Sequence, residues 1–407
     1  MLRFFTPKMV SRLGAAAPSW RTAFRTAATT GTAAPTLASV TGSSTPMPAK
    51  VVIGDAANGS SPQISMMWTD IVGIDGVNSR ISAGPLLSMM DLCAYRIAEK
   101  VSGFATKRTG TTYNSCTVAV NNTNFACPIL HGDSVRMDGR VIHAGGSSLG
   151  IYIRFYRNSP STRLETTAGE AFFTMVLITP ELKSAKVAPE MVLTDPEDIK
   201  LHHRYNQIRE AQKKNDVEGK AHRATQLTAE EVDGKVNRSK SMHMTIGATQ
   251  CVANRIFFSS YLNNNNTVFG GEIMSWMERH AVHCGRMLTE NKYVYAVGMH
   301  SVSFPEPIYS SDWVTLIANA TYVRNTTMEV EVTLTAERKT TGQVITNRAS
   351  FVLINMNEIG QKAKIRFGID LSKATQEELQ RYMEARTRYS GGVPTAMRFR
   401  CGTRERR

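Results

Sequence analysis

Val118-Ala-Val-Asn-Asn-Thr-Asn-Phe-Ala-Cys-Pro-Ile-Leu-His-Gly-Asp-Ser-Val135 and Val297-Gly-Met-His-Ser-Val-Ser-Phe-Pro-Glu-Pro-Ile-Tyr-Ser-Ser-Asp-Trp-Val314 are two versions of one stretch, 179 residues apart. Phe125 matches Phe304, Pro128 matches Pro307, Ile129 matches Ile308 and Asp133 matches Asp312. A period this long is a domain, too large for a solenoid repeat. The chain therefore reads as two related domains, and a site can lie between them.

The pattern on either side of each copy repeats as well. Gly84 to Ala98 predicts a helix with Pro85 near its first turn. Strand-like runs follow at 116–120, 134–142, 150–156 and 171–177, with Gly145-Gly146 turning the chain between two of them. In the second half, 268–288 predicts a helix, and 295–304, 313–323, 328–336 and 344–355 predict strands. Glu329, Glu331 and Thr333 alternate there with Val330, Val332 and Leu334, the period of a strand. One apolar helix and several mostly antiparallel strands per half make an α+β domain, a curled sheet wrapped around a central helix. The boundaries read as follows: 1–55 leader and linker, 60–190 first domain, 191–245 charged surface helix and connector, 246–365 second domain, 366–407 basic tail.

Length and composition agree with this plan. At 407 residues, 42% hydrophobic and 20% charged, the chain suits two ordinary globular cores. No run of 18 apolar residues is present to span a membrane. The six cysteines (Cys93, Cys116, Cys127, Cys251, Cys284, Cys401) form no CxxC pair, so neither a zinc site nor a secreted disulfide scaffold is indicated. The net charge of +14 is uneven. Residues 1–50 hold six basic residues and no acid among many Ser, Thr and Ala, the profile of a transit peptide for import into the mitochondrial matrix. Residues 381–407 hold eight arginines against two glutamates. Such an end can touch RNA or a phosphate-rich partner, or can simply be a solvated, partly disordered tail.

Gly270 and Gly271 stand where a loop enters the second helix, so their N–H groups can face a carbonyl oxygen or a phosphate. Close helix packing is the other use of glycine there, and on the residues alone both remain open. Asp91 sits among Met89, Met90, Leu92 and Cys93, and a carboxylate in an apolar run needs a partner. His131, His143, His280, His283 and His300 have no metal-ligand spacing with acids or cysteines; His280 and His283 are three apart on a helix but lack a third ligand. No Gly-x-Ser-x-Gly elbow is present.

Two segments carry a more specific signal. Asn263-x-x-Asn-Thr-Val-Phe-Gly-Gly-x-Ile-Met-x-x-x-Glu278 resembles the opening motif of acyl-CoA thioesterases of the hotdog fold, and Ala320-Thr-Tyr-Val-Arg-Asn-Thr-Thr-Met-Glu-Val-Glu-Val332 resembles their second motif. With the duplication and the leader, the chain resembles the mitochondrial two-hotdog branch of that family over about residues 60–365. The resemblance implies an α+β double hotdog that hydrolyses acyl-CoA thioesters to fatty acid and CoA. It implies no separate cofactor, because CoA is part of the substrate, and no metal.

In that family one module supplies an Asn ahead of the glycine pair and the facing module supplies an acid on its central helix. The Asn falls on Asn263. The acid, seven residues past the second glycine, falls on Asp91 after Gly84 and on Glu278 after Gly271, a spacing of 187 instead of 179. The counterpart of Asn263 is then Gly76, which has no amide side chain. One cleft therefore joins Asp91 to Asn263, and the weaker one holds Glu278 without an amide. The resemblance casts Asp91 as general base on water, or as direct nucleophile, and Asn263 as the group that positions water or carbonyl. Gly271 or Gly84 would supply the oxyanion N–H, with Gly270 beside it. Arg324, with Thr326 and Thr327, is the candidate for the CoA phosphates; a solvated surface charge is the other reading of Arg324. The partners implied are the acyl-CoA and further copies of the chain, with a trimer of fused pairs as the family arrangement. A different class of function also stands: an inactive double hotdog serving as a structural part of a mitochondrial ribonucleoprotein assembly. An open tunnel ending at Asp91 and Asn263 would mark the enzyme, and a filled seam the scaffold.

Overall fold

The computed structural model describes residues 52–53, 65–73, 79–160, 164–222, 226–339 and 341–390. The basic leader, Gly76, Cys401 and the last arginines lie outside the described residues. Residues 50–407 cluster as one unit.

The first module runs β1 (Val52–Ile53), β2 (Ser65–Ile71), α1 (Ala83–Thr109), β3 (Asn114–Phe125), β4 (Ser134–Ala144), β5 (Ser148–Asn158), β6 (Glu165–Ile178) and β7 (Glu190–Met191). The connecting stretch carries α2 (Pro196–His222), α3 (Ala229–Val232), α4 (Lys235–Arg238) and β8 (Met242–Met244). The second module follows with β9 (Cys251–Arg255), α5 (Gly270–Thr289), β10 (Val294–Ser303), β11 (Trp313–Val323), β12 (Thr327–Arg338), β13 (Gly342–Asn355), β14 (Phe367–Ile369) and α6 (Gln376–Ser390). Each module is a helix packed on an antiparallel sheet, the double-hotdog α+β plan.

The two sheets are one. Ten strands run in the order β2-β4-β5-β6-β3-β10-β13-β12-β11-β9, and the seam is the antiparallel pair β3–β10. Both strands belong to the repeated stretches. Gly298 pairs with Asn124 and Ser303 with Ala119, and the 179-residue offset exchanges these two pairs. The duplicated segment thus pairs with its own copy, as in a two-fold dimer interface. The repeated aspartates have a structural role. Asp133 accepts from the Leu130 N–H at 2.7 Å and binds Arg157, while Asp312 accepts from the Tyr309 N–H at 3.0 Å and binds Arg338. Each holds the turn that leads into β4 or β11.

Helix α1 extends to Thr109, about three turns beyond the predicted end at Ala98, where Gly110 adopts φ 72° and its N–H closes on the Thr106 carbonyl. Helices α1 and α5 cover one face of the sheet, and the opposite face is also buried. In β5 and β6, Ile151, Ile153 and Phe173 join the main core, while Tyr152 and Phe172 join Leu201 and Tyr205 of α2. The alternation of β12 likewise sends Met328 toward Gly285 of α5 and Glu329 and Glu331 under α6. There Arg388 holds Glu329 at 2.5 Å and Arg381 holds Glu331 at 2.9 Å. A buried charge needs such a partner. The charged connecting stretch supplies its surface helix, α2, which covers the first module. Residues 376–390, expected within a basic tail, instead form a helix that covers the second, with Tyr382 buried completely.

Candidate active site

Helices α1 and α5 run antiparallel and touch through small residues. A methyl group on Gly84 would meet the Ser275 carbonyl at 3.0 Å, and one on Gly271 would meet Ser88 Cα at 2.8 Å. Gly84 and Gly271, Ser88 and Ser275, and Asp91 and Glu278 are each 187 residues apart. The crossing is therefore a local two-fold, and each helix presents a carboxylate to the first turn of the other. Close packing is thus one use of glycine at Gly84 and at Gly271, and each also turns its N–H toward the carboxylate of the other module.

Asp91 is 1% exposed. Its Oδ1 accepts from the Thr117 hydroxyl of β3 at 2.7 Å, and the carboxylate also accepts from the Gly271 N–H. A Cβ on Gly270 would stand 3.0 Å from Oδ2, so any larger residue there would press on the carboxylate. Burial pushes the Asp91 carboxyl up to about 6, against the opposing pull of Thr117 and Gly271. The group is thus balanced near neutrality, the range in which a carboxylate is a useful proton acceptor.

The loop 263–267 reaches the same place from the second module. Asn264 Nδ2 donates to the Tyr95 hydroxyl at 2.8 Å, one turn past Asp91, and Asn265 Nδ2 donates to the Ser115 carbonyl at 3.1 Å, two residues before Thr117. Asn263 Oδ1 accepts from the Asn265 N–H at 2.9 Å, the Thr267 N–H and the Thr267 hydroxyl, so its oxygen orders its own loop. Among the described residues its amide nitrogen donates to none. The site is built across the modules, with acid and hydroxyl from the first and glycines and asparagines from the second.

The other carboxylate is held differently. Glu278, also 1% exposed, accepts from the Ser82 hydroxyl, from the Ala83 N–H at 3.3 Å and from the Gly84 N–H at 3.2 Å. Its extra methylene lets it cap the start of α1, a favourable place for negative charge. Burial still raises its pKa, with Ser82 and the two N–H groups opposing. A cavity of about 270 Å³ opens beside it, between Leu86, Phe125 and Ile129 of the first module and Val282, Arg286 and Tyr295 of the second. The seam thus has a cavity at its Glu278 end.

Arg324, Thr326 and Thr327 are not brought to Asp91. They form the β11–β12 hairpin beside the last turns of α5, since Gly285 faces Met328. Fifteen residues of helix separate Gly285 from Gly270, on the order of 20 Å. The hairpin is occupied locally. Lys240 Nζ donates to the Arg324 carbonyl at 2.6 Å, Ile365 N–H donates to the Asn325 carbonyl at 2.7 Å, and the Arg324 guanidinium lies 5.6 Å from the Tyr389 ring centre. Lys240 after α4, Ile365 before β14 and Tyr389 of α6 thus surround it, segments absent from the motif-based expectation. Among the described residues no group of three or more His, Cys, Asp or Glu could hold a metal ion. His280 instead meets the Cys251 carbonyl at 3.0 Å.

Sequence reasoning missed Thr117, Tyr95, Asn264, Asn265 and Ser82. The run of four asparagines is visible, but which of them crosses to the other module depends on the loop's turn. Thr117 sits in a strand of mixed residues and gains meaning only from the helix packed over it.

The chain is similar to known proteins in keeping with this geometry. The profile of the family described as "Thioesterase superfamily" matches twice, at residues 79–163 and 265–343, once on each module. Among individual proteins, the chain is 22% identical over 254 residues to an acetyl-coenzyme A thioesterase of Mus musculus, covering 62% of this chain and 43% of that one. It is 34% identical over 103 residues to an uncharacterized acyl-CoA thioester hydrolase of Bacillus subtilis, covering 23% of this chain and 56% of that one. The chain thus spans about half the length of the curated relatives it matches. A crystal structure of an acyl-CoA hydrolase from Bacillus cereus aligns with 36% of this chain and 87% of its own, at 24% identity and a TM-score of 0.33.

Proposed function

We propose that this protein hydrolyses acyl-CoA thioesters in the cleft formed by Asp91, Thr117 and the loop 263–271. The observation that carries the reading is the buried Asp91 carboxylate, raised to about 6 and shared between a hydroxyl of one module and a helix start of the other. The superfamily match and the thioesterase relatives support the reaction class.

Asp91 takes a proton from water as the oxygen adds to the thioester carbonyl. Asn263, through its amide nitrogen, and the start of α5 face the charge that develops on the carbonyl oxygen. The Gly271 N–H, which bonds Asp91 in this structure, would transfer to that oxygen. The C–S bond then breaks, the CoA sulfur receives the proton from Asp91, and the carboxylic acid leaves. Thr117 positions Asp91. Location in the mitochondrial matrix and assembly of the fused pairs into a trimer belong to the same proposal, resting on the composition of residues 1–50 and on the resemblance.

The test is release of free CoA thiol by the purified protein across short, medium and long acyl-CoAs. Asp91→Asn and Asn263→Ala should each lose about a hundred-fold or more while remaining folded. Undiminished turnover in both would refute the residue assignment. A folded parent inert toward every acyl-CoA would refute the activity and favour the scaffold reading, which a search for bound partners would follow.

A further inference from the structure

The cavity at Glu278 has its own chemistry, distinct from that of the Asp91 cleft. On α5, Glu278, Val282 and Arg286 follow one another four residues apart and so share one face. All three line the cavity. The wall therefore runs from a carboxylate through an aliphatic patch to a guanidinium, about 12 Å in all by helix rise. Leu86, Phe125 and Ile129 supply the facing apolar wall. Arg80 adds a second guanidinium, 4.6 Å above the Tyr295 ring and donating to the Ala296 carbonyl at 3.3 Å.

Hydrolysis is not what this arrangement suits. Glu278 is held by the Ser82 hydroxyl and by two N–H groups at the start of α1, so it serves as a cap of that helix. At the position that the 179-residue offset assigns to Thr117, β10 has Ala296, which has no hydroxyl to orient an acid. What remains is a recess with apolar walls and two arginines, in the manner of binding pockets that fix a ligand by a few polar groups. We propose that the Glu278 cleft is a second, non-hydrolytic binding site for an apolar chain that carries one anionic end group, its chain along Val282 and Leu86 and its charged end at Arg286 and Arg80. The end group is a carboxylate or a phosphate.

The full chain would be titrated calorimetrically with octanoate, octyl phosphate and octanol. One equivalent of octanoate or octyl phosphate should bind, the tighter of the two identifying the end group. Octanol should bind at least ten-fold more weakly, the scale of one charge-assisted hydrogen bond. Arg286→Ala, at an exposed position that tolerates truncation, should weaken the anion about ten-fold, and Arg286→Lys should recover part of that loss. Val282→Trp should block the recess, and Asp91→Asn should leave binding unchanged. The proposal is overturned if neither anion binds, if octanol binds equally well, or if Arg286→Ala has no effect. It is equally overturned if Asp91→Asn abolishes binding, because the ligand would then occupy the other cleft. None of these readouts depends on thioester hydrolysis.

Discussion

Replacing Asp91 with Asn should make the protein more stable at alkaline pH and less stable in acid. The carboxyl is shifted from its ordinary value of 3.8 to about 6, with burial as the largest cause. Each tenfold change in acidity corresponds to about 1.4 kcal/mol, so ionised Asp91 costs the native state on the order of 3 kcal/mol relative to the unfolded chain. The sign follows from the raised folded value. Below about pH 4 the group is protonated in both states and costs nothing. The cost grows between pH 4 and 6 and is complete above that. Asn carries no charge and escapes it. The amide oxygen still accepts from Thr117, but the NH2 group faces donors at the start of α5, a loss of about 1–2 kcal/mol at every pH. The variant should thus be about 1–2 kcal/mol more stable than the parent at pH 8 and about as much less stable at pH 4. Urea unfolding of both proteins at several pH values measures the swing. A stability difference that stays constant from pH 4 to pH 8 would refute the reasoning, because Asp91 would then ionise at its ordinary value.

Three other expectations follow from the same geometry. In the proposed hydrolysis, the acid limb of kcat/KM should fall near pH 6, where Asp91 becomes protonated. Thr117→Val should move that limb to higher pH, because the hydroxyl favours the charged form; a limb that stays put would remove Thr117 from the site. Gly84→Ala and Gly271→Ala should each cost about 1–3 kcal/mol, since the new methyl groups meet helix backbone at 3.0 Å and 2.8 Å, and thermal unfolding would show it. Arg388→Met should cost about 3–5 kcal/mol by leaving the buried Glu329 without its guanidinium, with only His300 and the Thr321 hydroxyl beside it, whereas Arg388→Met with Glu329→Gln should cost much less. Additive losses in that cycle would count against the pairing of α6 with the sheet.

The sequence by itself determined the duplication, the helix-then-strands plan of each module and the equivalence of Asp91 with Glu278. These are legible because they rest on local period and on spacing, which a chain carries whatever it packs against. Even the unequal offsets, 179 on the strands and 187 on the helices, can be read from the letters. Tertiary structure alone decided what those positions touch. The repeated strands pair with each other, so the two sheets become one. The polar face of β12 is covered by a helix from a stretch that composition marks as a basic tail, because Arg381 and Arg388 compensate Glu331 and Glu329. The same helix places Tyr389 against Arg324 of the β11–β12 hairpin, and the length of α5 separates that hairpin from Asp91. One methylene distinguishes Glu278 from Asp91, yet it places the longer acid on the start of α1 beside a cavity, while the shorter one stays with Thr117. Such differences depend on distances between segments far apart in the chain, and no pattern of neighbours along the sequence encodes them.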